Sequence, residues 1–431
     1  MRRAFRASIL HCLADPGEES RASAFEYFED GLLIIEDGTV LEAGHAGTLL
    51  DGLAEDVRLT EFPGKLIVPG FVDCHVHYPQ LDIIASYGEQ LLDWLHRYAY
   101  PAEARYSDPE YAREAATVFV DELLDNGTTT ALVFGTVHAH SADAIFEAAA
   151  ARDMRLIAGK VLMDCNCPEE LRDDADSAYA DSKALIERWH GRGRLGYAIT
   201  PRFALTSTAE QLAAAGKLAR EYPEVWVHTH LAENRDEVEQ IARQFPSSRS
   251  YLDVYDQFGL LRERSVFAHC LHLDDQDRAR MASAGGAAAF CPTSNLFLGS
   301  GLFDLSSMRA ANVRCGLGTD VGGGTSLSLL KTASEAYKVL HLQDHALPAT
   351  RALYLATLGA AEALYLDDAI GNFLPGKEAD FIVLDPGGSK LVARRTSAAE
   401  TIEEAFFALL TLADERHVAA TFINGSAQEK N

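Results

Sequence analysis

The chain has 431 residues, 48% of them hydrophobic and 24% charged, which is enough for one large folded domain with a smaller domain appended. Its 38 Lys and Arg against 64 Asp and Glu give a net charge of −26, which repels phosphate backbones and anionic bilayers, so we expect neither a nucleic-acid nor a membrane partner. The seven cysteines are odd in number and show no disulfide framework, which predicts reduced thiols in a cytoplasmic protein.

The N-terminal part of the chain alternates short strand-like runs with turns. After a first strand around Ile9 and Leu10, three further runs are separated by turns that contain Gly or Pro. The pattern predicts β-structure that differs from the segment that follows it. The three runs are Leu32–Glu36, Val40–Ala43 and Val57–Thr60.

Strand-like and helical runs alternate through the middle of the chain. A helix is predicted to begin at Pro109 and to stop before Asn126-Gly127, and the capping-box pattern of Thr208 and Gln211 opens another. Eight strand–helix units in roughly 250 residues predict an α/β fold, a (β/α)8 TIM barrel, with its site at the C-terminal ends of the strands. The eight strand-like runs are Leu66–His77, Thr129–Gly135, Arg155–Leu162, Leu195–Pro201, Val225–Leu231, Ser265–His269, Ala287–Cys291 and Val313–Thr319.

Strand-like runs return near the C-terminal end, at Asp380–Leu384 and Val418–Ile423. Because both chain ends have short strands with Gly- or Pro-bearing turns, we expect them to assemble into one small β-sandwich domain. The predicted organisation is a composite β-sandwich of residues 1–68 plus 370–431 and a barrel of residues 69–369.

Histidines and one aspartate end four of the predicted barrel strands. His75 and His77 point to the same face of the first strand, so both imidazoles can reach one ion. An isolated His-x-His pair is weak evidence, but His228-Thr-His230, His269 and Asp320 end three further strands. Imidazole nitrogen and carboxylate oxygen suit zinc, and three or four protein ligands with one open position are typical of a catalytic site.

Two choices remain within this set. His228 and His230 face the same way, and we expect His228 to be the hydrogen-bonded barrel histidine. His272 stands at the start of a loop, so we expect His269 at the site and His272 at its periphery. Cysteine ligands are not expected, because the chain has no Cys-x-x-Cys and Cys165-Asn-Cys167 has the wrong spacing.

These residues resemble the amidohydrolase superfamily in the segments Pro69–Gln80 and His230–Asn234, in His269 and in Gly318–Asp320. Within that superfamily the chain is similar to the guanine deaminases over nearly the whole barrel. Cys74 departs from the family pattern, but it points away from His75 and His77. The segments that carry the closer similarity are Tyr78–Gln80, Leu91–Leu95, Tyr100–Glu103, Thr200–Phe203, His230–Glu237, Cys291–Asn295 and Leu374–Leu384.

The resemblance implies one metal ion per chain. By resemblance, His75, His77, His230 and Asp320 ligate zinc, with Fe2+ as the other candidate ion, and His269 holds or polarises the metal-bound water. Zinc lowers the pKa of bound water towards about 7, so hydroxide is available at physiological pH, and Asp320 accepts its proton. The expected partner is a second copy of the chain in a homodimer.

The resemblance also implies the substrate guanine, hydrolysed to xanthine and ammonia in purine catabolism and salvage. Glu233, three residues after His230, is then the proton shuttle. Gln80 and Arg202 are the expected polar contacts to the ring, with Phe203 or Trp94 packed on its face.

Two alternatives remain open. The first is another mononuclear-metal amidohydrolase that deaminates a different purine, a pterin or a triazine. A two-metal cyclic amidase would commonly need a lysine at the end of the fourth strand, which here reads Ile199–Phe203 without one. The second is an inactive barrel scaffold, which would be expected to lose metal ligands, whereas none is missing.

Overall fold

The computed structural model describes residues 1–88 and 90–429, so the last two residues of the predicted C-terminal domain lie outside the described part. The chain divides into two compact units. One contains Met1–Val72, Asp121–Thr129 and the chain from Ser328 onward, and the other contains Asp73–Val120 and Thr130–Leu327. The domain limits predicted at 68/69 and 369/370 remain predictions.

Eight strands of the described chain lie side by side in chain order and form a nearly closed barrel, which confirms the predicted fold. Pairing is parallel from the second strand to the eighth. The third predicted run breaks at Lys160, and Val161–Leu162 is a separate short strand that pairs with the fourth barrel strand. In chain order, the barrel strands are Phe71–His77, Thr128–Phe134, Arg155–Gly159, Leu195–Pro201, Trp226–Leu231, Ser265–His269, Ala287–Phe290 and Arg314–Leu317.

The predicted first strand, Leu66–His77, is wrong as a single element, because it is two strands. Its first four residues pair with Phe381–Leu384, and only the part from Phe71 onward belongs to the barrel. Gly70 separates them at a point where a Cβ atom would lie 2.1 Å from Oγ1 of Thr129. Only glycine leaves room for this close approach, so the hydrophobic run continues while the backbone changes partner.

Helices follow the barrel strands as the sequence predicts. The helix that begins at Pro109 ends at Asp125, and the N–H of Gln211 donates to Oγ1 of Thr208 at 3.2 Å, which caps the next predicted helix. Within the described residues, no helix is both long and apolar enough to cross a membrane. The α-helices are Ala46–Leu49, Leu91–Trp94, Tyr100–Ala104, Pro109–Asp125, Ala139–Ala151, Ala175–Trp189, Ala209–Glu221, Arg235–Gln244, Tyr251–Gln257, Asp275–Ala284, Pro292–Phe297, Leu305–Ala310, Leu329–His341, Ala349–Ala356, Leu358–Ala363, Lys390–Thr396 and Ile402–Leu412.

Strands from both chain ends form one separate sheet, as the sequence predicts for the two termini. That this domain is a sandwich remains a prediction. The rings of Phe5, Phe381 and Phe422 pack with centroids 4.3, 4.9 and 5.2 Å apart, so the core of this sheet needs residues from both ends. In spatial order the described strands are Ser426–Ala427, Val418–Ile423, Phe381–Leu384, Arg58–Pro69, Arg2–Cys12, Phe25–Glu36 and Thr39–His45.

Candidate metal centre and active site

Backbone hydrogen bonds tie the end of the eighth barrel strand to the end of the first. The N–H of Asp320 donates to the carbonyl of His75 at 2.8 Å, and the N–H of His77 donates to the carbonyl of Val321 at 3.0 Å. Asp320 and His269 adopt left-handed backbone conformations, with φ of 51° and 71°. Such conformations are uncommon outside glycine and concentrate at functional sites.

Four side chains place one ligand atom each around a single point at this end of the barrel. Nε2 of His77 lies 3.2 Å from Nε2 of His75 and 3.2 Å from Nε2 of His230. Oδ1 of Asp320 lies 3.1 Å from Nε2 of His75 and 3.3 Å from Nε2 of His77. A tetrahedral zinc ion with bonds of roughly 2.0–2.1 Å would hold its ligand atoms about 3.3 Å apart. The spacing of these atoms therefore fits a divalent metal ion.

Hydrogen bonds at the opposite ring nitrogens set the tautomers of the histidines. Nδ1–H of His230 donates to the backbone carbonyl of Arg202 at 2.6 Å, and Nδ1–H of His269 donates to Oδ1 of Asn295 at 2.8 Å. In a neutral ring with this hydrogen bond, Nε2 is the nitrogen that carries the lone pair, as in metal-ligating histidines. Unprotonated nitrogens close to a carboxylate need a positive partner, which a cation supplies.

The protonation states also favour a cation. Burial lowers the pKa of His77 to about 3 and holds the pKa of His230 well below its usual value. Burial alone would raise the pKa of Asp320, but His75 and His77 outweigh it and hold that pKa well below the ordinary value. Neutral imidazoles and an ionised carboxylate are the forms that bind metal. The ligand atoms of His75, His230, His269 and Asp320 lie within 4.8 Å of one another, so His269 is close enough to take part.

Glu233 lies beside this cluster and is buried. Its Oε1 accepts a hydrogen bond from Oγ–H of Ser300 at 2.9 Å, and its Oε2 lies 3.4 Å from Nε2 of His269. Oε2 of Glu237 accepts the backbone N–H of Glu233 at 2.9 Å, which holds the loop in place. Burial, assisted by the charge of Asp320, raises the pKa of Glu233 to about 8. A carboxyl group with that pKa is protonated at neutral pH and can serve as an acid.

One cavity brings the expected metal ligands and the expected substrate contacts together. Gln80, Trp94, Arg202 and Phe203 all line it. Nε1 of Trp94 has no hydrogen-bond partner among the described residues, so the indole N–H is also available to a ligand. The cavity is additionally lined by His77, His230, Glu233, His269 and Asp320.

Residues expected outside the site lie outside it. Nε2 of His228 lies 2.7 Å from Nδ1 of His75, so it meets the ring nitrogen that does not face the cluster. His272 is absent from the lining of the cavity. Burial raises the pKa of Cys165 to about 12 and also raises the pKa of Cys167. Among the described residues, the group of side chains that could hold a metal ion contains no cysteine.

Four buried polar residues that contact the expected site residues were missed from the sequence. Three of them lie in segments that are similar to the guanine deaminases, so that similarity could have singled them out. It could not have shown which side chain each of them contacts. The serine gave no signal, because a loop serine is common. The four are Glu103, Glu237, Asn295 and Ser300.

Comparison with known proteins agrees with this geometry. The chain matches the Amidohydrolase family over residues 66–427. It is 52% identical to the guanine deaminase of Escherichia coli (strain K12) over 407 residues, covering 94% of this chain and 93% of that protein. A solved structure of E. coli guanine deaminase matches with a TM-score of 0.97 and 50% identity over 99% of both chains. The guanine deaminase structure from Bradyrhizobium japonicum matches with a TM-score of 0.96 and 37% identity over 100% of both chains.

The matched range contains every residue of the metal-ligand cluster and the strand that returns to the chain-end sheet. Both resemblances found in the sequence, to the amidohydrolases and to the guanine deaminases within them, are confirmed. Because the family match covers most of the chain and a curated member is 52% identical over 93% of its length, the chain belongs to the amidohydrolase family.

Proposed function

We propose that the chain hydrolyses guanine to xanthine and ammonia. The observation that carries the proposal is a single cavity that joins a metal-ligand cluster to Arg202 and Gln80, two side chains that can hydrogen-bond the polar edge of a purine. The 52% identity to a guanine deaminase supports guanine as the purine.

His75, His77, His230 and Asp320 would hold the metal ion, which we propose to be one zinc per chain, with Fe2+ as the alternative. When bound, such an ion lowers the pKa of water and so makes a nucleophile available near neutral pH. The cytoplasmic location and the homodimer remain predictions from the sequence and the resemblance.

Two carboxyl groups of this chain move the protons in the proposed reaction. Asp320 is ionised and accepts a proton from the water that attacks the amino-bearing ring carbon. Glu233 is protonated and donates to the neighbouring ring nitrogen. The amino group then takes the proton held by Asp320 and leaves as ammonia, while the new hydroxyl returns a proton to Glu233. Guanine and one water thus give xanthine and ammonia, and both carboxyl groups regain their starting states.

The remaining cavity residues bind and orient the ring in this proposal. Arg202 donates to the ring carbonyl, Gln80 pairs with a polar edge, and Phe203 and Trp94 pack against the ring face. The backbone carbonyl of Arg202 also holds the ring of His230, so one short segment positions a metal ligand and a substrate contact together.

Ammonia release from a panel of ring substrates tests the proposed function. We expect kcat/KM for guanine to exceed that for adenine, cytosine, an aminopterin and an aminotriazine by about 100-fold or more, because a buried polar site rejects rings that leave its groups unpaired. Chelator-treated protein serves as the control and should release none. Faster turnover of a pterin or triazine would favour another deaminase, and no turnover by metal-loaded protein would favour an inactive barrel.

Arg202→Met should lower kcat/KM for guanine roughly 30- to 5,000-fold, a loss of about 2–5 kcal/mol of transition-state stabilisation, because methionine removes the donors of the side chain but stays unbranched and flexible. The Arg202 side chain also supports the fold, since it is 2% exposed and pairs with buried Glu103. The thermal midpoint should therefore fall as well. Steady-state kinetics at a temperature well below that midpoint check the prediction, and unchanged KM and kcat would contradict it.

A further inference from the structure

Glu103 connects the two polar side chains that face the proposed substrate. Its Oε1 and Oε2 accept hydrogen bonds from Nη1 of Arg202 at 2.8 and 2.6 Å. Oε1 also accepts from Nε2 of Gln80 at 2.9 Å. Glu103 is 0% exposed, whereas both of its partners line the cavity, so the carboxylate lies behind them.

The contact fixes the guanidinium of Arg202 without using all of its donors. Within the described residues, the guanidinium donates only from Nη1 and only to Glu103, while the ring of Tyr100 lies 5.3 Å from its central carbon. Nε and Nη2 remain for a ligand in the cavity. Burial opposes the charge of this arginine, but Glu103 outweighs it and the pKa of Arg202 is raised. The guanidinium of Arg202 is thus a cation in a fixed position, with Nε and Nη2 in one orientation.

The amide of Gln80 is held at both ends. Its Nε2 donates to Glu103, and its Oε1 accepts the backbone N–H of Gly322 at 3.1 Å. Because a donor and an acceptor meet opposite ends of the amide, a flipped amide would place like groups against each other. Glu103 therefore also sets the orientation of the Gln80 amide, with Nε2 towards Glu103 and Oε1 towards Gly322.

The charge of Glu103 matters as much as its geometry. An unpaired buried guanidinium would favour an anionic ligand, because a buried charge without a partner is costly. With Glu103 ion-paired to it, Arg202 presents hydrogen-bond donors with no net charge at this edge of the cavity. A neutral ring carbonyl suits such a subsite, whereas an anion gains little from it.

We infer that Glu103 is a positioning and specificity-determining residue, which orients Arg202 towards the ring carbonyl and Gln80 towards a polar edge of the ring. It also keeps this subsite neutral, so that an uncharged ring binds in preference to an anion. The inference rests on the proposed function, since it concerns how that substrate and its product are told apart. Xanthine loses a ring proton more readily than guanine does, so a neutral subsite also favours release of the product anion.

Glu103→Gln separates this role from general support of the fold. KM for guanine should rise on the order of 10- to 100-fold, kcat should fall less, and the metal content should stay at the wild-type level. Inhibition by xanthine should weaken in mildly acidic buffer, where xanthine is neutral, and strengthen in mildly alkaline buffer, where it is a monoanion. Glu110→Gln, at an exposed position near the start of the next long helix, is the matched control and should leave every value unchanged.

A double-mutant cycle tests whether Glu103 acts through Arg202. In the Arg202→Met background, Glu103→Gln should change kcat/KM by no more than about threefold, because its main partner is already gone. The double variant should also melt at a higher temperature than Arg202→Met alone, because no carboxylate is left buried without its partner. Glu103→Asp, which keeps the charge on a shorter side chain, should raise KM without strengthening inhibition by the xanthine anion.

The outcomes separate this inference from the proposed function. Wild-type protein that releases no ammonia from guanine would overturn both. If the wild-type enzyme is active, two results would overturn the role of Glu103 alone. In one, Glu103→Gln changes kcat/KM equally in the wild-type and Arg202→Met backgrounds. In the other, Glu103→Gln weakens inhibition by neutral and by anionic xanthine together.

Discussion

His77→Ala is expected to abolish metal binding and guanine turnover together. Nε2 of His77 lies 3.2–3.3 Å from ligand atoms of three neighbours, so its loss opens one side of the cluster. Wild-type protein should carry about one divalent ion per chain, and the variant should carry almost none. The barrel itself should persist, because its stability resides in the packed side-chain layers below the mouth. Elemental analysis, ammonia release and circular dichroism of the same preparations check these expectations.

His341→Ala supplies the control, since this histidine is exposed at the end of the helix Leu329–His341. It should retain metal and activity. Full metal content in the His77 variant would remove His77 from the ligand set. Active wild-type enzyme without any metal would remove the metal from the reaction.

Glu233→Gln is expected to lower kcat by about 10²–10⁴-fold while metal content and guanine binding stay near wild type. The glutamine keeps the size of the side chain and an oxygen that can accept from Ser300, but it has no acidic proton. Because Glu233 is proposed to give a proton and later regain one in each cycle, we expect a loss near the upper end of that range. Single-turnover kinetics on metal-loaded protein measure the effect on the chemical step.

Glu239→Gln is the matched control for this variant, because Glu239 is exposed on the helix that follows Glu233. Its kcat should be unchanged. Near-normal turnover of the Glu233 variant with metal in place would make Glu233 a loop carboxylate without a catalytic role. Asp320 or His269 would then have to supply the proton.

The barrel and the edge that carries its site could be predicted because their signals are local. Alternation of apolar strands with capped helices indicates the fold, and Thr208 caps its helix as the pattern predicts. His75 and His77, two residues apart on a strand, share a face whatever the strand pairs with. The break at Gly70 could not be predicted, because the hydrophobic run continues through it while its pairing partner changes from Phe381–Leu384 to the barrel.

The sequence by itself determined which strand ends carry histidine and aspartate, and therefore where a metal could bind. Only the tertiary structure decided that His230 Nε2 meets His77 while His228 meets the far nitrogen of His75, since both side chains leave their strand on the same face. It also decided that Glu103 neutralises Arg202, a residue 99 positions away along the chain. Buried charges pair through space, and no local pattern records which distant carboxylate the folded chain brings to an arginine.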